Sequence, residues 1–177
     1  MKSPVNRVFP LTFLLFLLLL VINVRAHQPG LSTVLIQLGT NRLTAQLIFA
    51  WPELEALTLM DANRDRELSD GEFEAARPFL LKHGEPALAF ESDGRMLALT
   101  APVEVQREDT NGLRFSFTFE FPATRVLTLN SEILAELPRT HRQIVTVLRA
   151  DGTSLGEAVL ERDRPSVDVP LFALTGK

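Results

Sequence analysis

Between residues 32 and 50 the apolar and polar positions alternate. The segments STVLIQLG (32–39) and NRLTAQLIFA (41–50) are rich in β-branched residues and leucine, and in the second Leu43, Ala45, Leu47 and Phe49 fall on one side. Successive strand side chains point to opposite faces, so this pattern predicts half-buried strands. Gly39-Thr40-Asn41 between them supplies a turn, and the pair reads as a hairpin. The period then changes. Pro52 stands where a helix starts, Glu53 and Glu55 suit its first turn, and Leu54, Leu57 and Leu59 or Met60 continue at helical spacing. Phe73, Ala76, Phe79 and Leu80 repeat that spacing, with Pro78 expected to kink or end the helix and Gly84 to close it. Residues 52–84 therefore read as helix, acidic loop, helix.

From Ala87 onward alternation returns. ALAF and MLAL flank the turn Ser92-Asp93-Gly94. In LRFSFTFEF (113–121), Phe115, Phe117, Phe119 and Phe121 share one face, while Arg114, Ser116, Thr118 and Glu120 share the other. Further strands are predicted at 103–107, 125–130, 143–149 and 155–161, turns at Asn111-Gly112 and Asp151-Gly152, and a short helical turn at 131–137. About eight short strands at this spacing predict a mainly β protein, an antiparallel β-sandwich with the helix-loop-helix inserted between its second and third strands. The tail after Arg164 is expected to be loosely held.

The N-terminus changes the length that must fold. Lys2 and Arg7 precede the apolar run Leu11–Ile22, which is shorter than the roughly 20 residues of a membrane span. Val24-Arg25-Ala26 follows with small residues where a signal peptidase cuts. Residues 1–26 read as a signal peptide, and 27–177 as a single extracytoplasmic domain, periplasmic or secreted. The chain has no cysteine, which excludes lipid acylation, a disulfide framework and thiolate metal sites. The leader carries three basic residues and no acidic ones, so its removal takes the formal net charge from −4 to −7. An acidic domain without a basic patch disfavours nucleic acid and anionic membrane surfaces as partners and suits cations.

The acidic loop DANRDRELSDGE, Asp61 to Glu72, carries the candidate chemistry. An oxygen cage for calcium takes six or seven ligands from alternating positions of a compact loop. Asp61, Asn63 and Asp65 occupy positions 1, 3 and 5, and Glu67 at position 7 offers its backbone carbonyl. Leu68 turns inward, Ser69 acts through water, and Glu72 at position 12 binds with both oxygens. Ser69-Asp70-Gly71-Glu72 is also a capping box, which starts the second helix without any metal.

On these residues the segment resembles an EF-hand. Position 6, where that family places glycine because φ is positive, is Arg66 here. The layout of residues 31–165 resembles the extracytoplasmic N-terminal region of HupE/UreJ-type membrane proteins. That likeness rests on the first hairpin, DANRDRELSDGEFEAARP, THRQ at 140–143 and ERDRP at 161–165. It implies an association with nickel or cobalt handling and a membrane or envelope protein as partner. The family continues into several membrane helices beyond this region, so the resemblance carries no expectation of transport.

Other candidates are weaker. His27 at a mature N-terminus could offer copper its α-amine and ring, but His83 and His141 stand at no metal-ligand spacing and read as surface residues. The phenylalanine row reads as core, Glu108-Asp109 as a solvated loop. With no nucleophile elbow, phosphate loop or zinc motif, no enzyme is expected. The leading expectation is an exported calcium-binding module with a weak, structural Ca²⁺ site. The alternative is an accessory interaction domain whose loop is metal-free.

Overall fold

The computed structural model describes residues 30–108, 111–122 and 124–171. The predicted signal peptide and His27 lie outside them. Among the described residues ten strands form two sheets: β1 (Leu31–Leu38), β2 (Arg42–Ala50), β3 (Leu88–Ser92), β4 (Arg95–Met96), β5 (Glu104–Glu108), β6 (Gly112–Glu120), β7 (Val126–Ser131), β8 (Arg142–Arg149), β9 (Ser154–Glu161) and β10 (Ser166–Pro170). The larger sheet has the order β5-β6-β2-β1-β8-β9 and the smaller β10-β7-β3-β4. Their inner faces meet in one core, where Phe90 of β3 packs edge-on against Phe119 of β6 at 4.9 Å. The chain is thus mainly β and sandwich-like.

The alternation set most of this. Leu43, Ala45, Leu47 and Phe49 on β2 and Phe115, Phe117 and Phe119 on β6 are all buried, and the two strands pair antiparallel in register. Gly39 closes the first hairpin by donating its N–H to the Arg42 carbonyl at 2.8 Å.

Four expectations about the fold need correction. The sandwich is not purely antiparallel, because β1 and β8 run parallel, with Ser32 opposite Gln143 and Leu38 opposite Arg149. The tail is not loose over its described part, residues 165–171. After a turn at Glu161–Arg164 the chain crosses to the smaller sheet, where β10 pairs with β7 and Leu171 is 2% exposed. Its alternating Val167 and Val169 pack on the core, and pairing satisfies their backbone groups. Glu108 is not a free loop residue; it lies on β5 and pairs with Arg114. The helices between β2 and β3 also differ from their predicted lengths.

The first, α1, covers only Trp51–Leu54. Thr58 still donates to the Leu54 carbonyl, but the chain then leaves helical geometry, burying Met60 and leaving Leu59 68% exposed. The carboxylate of Glu55 takes the Asp61 N–H at 3.1 Å, so a backbone donor there is met without a further helical turn. The second, α2 (Asp70–Gly84), runs unbroken through Pro78. A proline inside a helix costs about 3 kcal/mol. Burial of Phe73, Ala76 and Leu80 on the core side outweighs it. Trp51, Leu54, Met60, Leu68 and Phe73 all join the core, so the insert is packed onto the sandwich.

Candidate metal centre

The 61–72 loop hangs between α1 and α2, anchored at both ends by burial. Asp61 is 6% exposed and Leu68 3%, whereas the positions from Ala62 to Glu67 are exposed. Leu68 thus turns inward as its place in the loop predicted, and it pins the exit of the loop against the core.

Within this frame the side-chain oxygens point back at the loop's own backbone. Asp61 accepts from the N–H of Asp65 at 3.1 Å through Oδ1 and of Arg66 at 2.8 Å through Oδ2. Asn63 Oδ1 accepts the Asp65 N–H at 2.9 Å, and its amide donates to Asp65 Oδ2 at 2.8 Å. Asp65 Oδ1 in turn accepts from the Glu67 N–H at 2.8 Å. Short polar side chains that bond the backbone two residues on make tight turns of this kind.

Glu72 closes the loop from the far side. Its Oε1 accepts from the N–H of Ala62 at 2.9 Å and of Asn63 at 3.3 Å. Its Oε2 accepts from the N–H of Ser69 at 3.0 Å and from the Ser69 hydroxyl at 2.7 Å. Ser69 Oγ accepts the Glu72 N–H, completing the capping box. The Ser69 hydroxyl and N–H hold the Glu72 carboxyl below the usual carboxylate range, with smaller help from Asn63 and Ala62.

Two residues take left-handed backbone: Arg64 at φ 62° and Arg66 at φ 68°. The turn at the sixth position therefore has the conformation that favours glycine, and a long cationic residue occupies it. Asp70 points away and meets Arg107 on β5 at 2.5 Å. These two line a cleft of about 530 Å³ beside the loop, with Arg66, Glu67 and Asn111 on its walls.

The fit to a hard cation is mixed. The donors are all oxygen, the type calcium and magnesium take. Asp61, Asn63, Asp65 and Glu72 are brought to one loop. Glu67 is on the same loop with its side chain exposed. Yet among the described residues no three acidic or histidine side chains converge as metal-holding groups do. Of the histidines, His83 pairs with Glu136 at 2.8 Å near the surface. His141 corrects the surface reading: it is 1% exposed, beside Ser32 and Glu53. Sequence reasoning missed that cluster although a signal was present, since His141 and Gln143 continue the buried alternation of Val145 and Val147.

Compared with protein-family models and with curated proteins, the sequence matches none.

Proposed function

We propose that the protein is an exported calcium-binding module, with Asp61, Asn63, Asp65, Glu72 and the carbonyl of Glu67 as ligands in a single EF-hand-like loop. The observation that carries this reading is the left-handed backbone at Arg66, at the loop's sixth position. A capping box alone does not require it; a loop wound to aim alternate side chains inward does. Export is read from the charged, apolar and small-residue pattern of residues 1–26. The likeness to HupE/UreJ-type extracytoplasmic regions fits the same placement and adds an envelope protein as the partner class.

The bond pattern also favours a second reading, in which the loop is metal-free and the domain serves as an accessory module. Glu72 already accepts four hydrogen bonds from the loop and Asp61 two, so the turn closes without a cation.

Calcium titration with Glu72→Gln separates the two. Glutamine still serves a capping box, so calcium-free stability should change little. The variant loses the charge that a bidentate ligand supplies. With Kd of about 10⁻⁴ M, calcium at about 1 mM stabilises the wild type by about 1.4 kcal/mol. Melting should rise with calcium in the wild type, much less with magnesium, and hardly at all in Glu72→Gln. An equal rise in both proteins rules out this loop, and no heat or shift at about 10 mM calcium favours the metal-free reading.

A further inference from the structure

The parallel pairing of β1 with β8 brings three distant segments together where both strands begin. His141 and Ser32 are each 1% exposed, and Gln143 is fully buried. His141 Nε2 lies 2.9 Å from Ser32 Oγ, and Gln143 Nε2 donates to the same oxygen at 3.2 Å. Across the ring, Nδ1 faces Glu53 Oε2 at 3.6 Å. Glu53 Oε1 accepts the N–H of Gly30 at 2.7 Å and of Leu31 at 3.2 Å, tying α1 to the start of β1.

We propose that this cluster is an acid-sensitive latch, in which neutral His141 closes the junction of β1, α1 and β8 and its protonation opens it. The facing carboxylate favours the hydrogen on Nδ1. Nε2 then accepts from the Ser32 hydroxyl, which accepts from Gln143, so one polarity runs from Gln143 through Ser32 and His141 toward Glu53. A second proton, on Nε2, takes the acceptor from the buried Ser32 O–H and puts a charge on a ring that is 1% exposed to water.

The elements packed on the ring bring one charged group among the described residues. α1 supplies Glu53, β1 Ser32, β2 the Phe49 ring at 5.8 Å, and β8 Gln143. Arg142 is exposed and pairs outward with Glu161 at 3.0 Å. Burial pushes the His141 ring below the ordinary histidine range, and the Glu53 carboxylate offsets this only in part. The unfolded or opened ring then binds its proton at higher pH than the closed one. Closure is fully stable above the ordinary value of about 6.5 and weakens as pH falls below it. Ser32, His141 and Glu53 stand in the order of nucleophile, base and carboxylate, but a hydroxyl buried to 1% meets no substrate. The latch is independent of cation binding by the loop.

The test follows the full chain from pH 7.5 to 5.5. An NMR titration of the His141 ring should find the Nδ1–H tautomer, still neutral below pH 6.5. Amide protection at residues 30–32, 53–55 and 141–143, corrected for intrinsic exchange, should fall severalfold, up to the limit of about tenfold that a ring neutral in the closed state sets one pH unit below the ordinary value. Urea midpoints of His141→Gln should lose the fall between pH 7 and 5.5 that His83→Gln retains. A ring titrating at or above about 6.5, flat junction protection, or unchanged pH dependence in His141→Gln overturns the latch. Should His141→Gln fail to fold, the wild-type titration and protection decide alone.

Discussion

Arg66 shows how one position can carry both a cost and a clue. A residue with a Cβ in left-handed backbone costs about 1–2 kcal/mol, and Arg66 at φ 68° also sets a positive charge on the loop proposed to hold a cation. Arg66→Gly removes both, though glycine loosens the open loop and returns part of the gain. A net gain of about 1 kcal/mol corresponds to roughly fivefold tighter calcium binding. Calorimetric titration of the two proteins side by side checks this; unchanged or weaker binding in the glycine variant would place the loop's ligands in a different register. The position was legible from spacing alone. Its conformation was not, because an arginine in sequence gives no sign of positive φ.

At the scale of elements, α2 depends on one close approach. Gly84, its last residue, lies against the Phe115 ring on β6, where an added Cβ would stand 2.5 Å from Cδ1 and Cε1. Phe115 is 1% exposed and held edge-on to Phe49 at 6.3 Å, so it has little room to yield. Gly84→Ala would raise helix propensity on an open surface. Here the overpacking should instead destabilise the protein by about 1–3 kcal/mol, read from the urea midpoint. A neutral or stabilising result would mean the ring moves aside. The sequence suggested that glycine closed the helix, whereas the structure gives it a packing role. Spacing was likewise a better guide to which residues are buried than to helix length. Leu54 is buried as the pattern required, and of Leu59 and Met60, which the spacing left open, Met60 is the buried one, although only Trp51–Leu54 is helical.

Over the whole molecule, the segment beyond Arg164 matters more than its plain sequence suggests. β10 extends the smaller sheet, and Leu171 N–H donates to the Arg125 carbonyl at 2.8 Å while its side chain is buried. Full burial of one leucine is worth about 1.5–3 kcal/mol. Truncation after Arg164 also bares the β7 edge, so the loss should exceed that figure. Thermal melting of the truncated chain should shift down by several degrees or more, and an unchanged melt would show that β10 adds nothing to the core. The parallel β1–β8 pair is equally central, since it alone brings His141 beside Ser32 across more than a hundred residues.

What the sequence determined by itself is what short-range chemistry encodes. Alternation on β2 and β6, the turns at Gly39-Thr40-Asn41 and Asp93-Gly94, and the capping box at Ser69 and Glu72 each depend on residues a few places apart. The loop's candidate ligands belong to the same class, since twelve consecutive residues hold them all. Tertiary structure decided what depends on residues far apart. Strand order and the parallel pair follow from which apolar faces meet, and alternation marks a face without naming its partner. The continuity of α2 through Pro78 follows from burial on the core side, which local propensity does not contain. The Ser32–Glu53–His141 junction exists only because three segments converge, and burial there turns an ordinary histidine into one whose charge the fold resists.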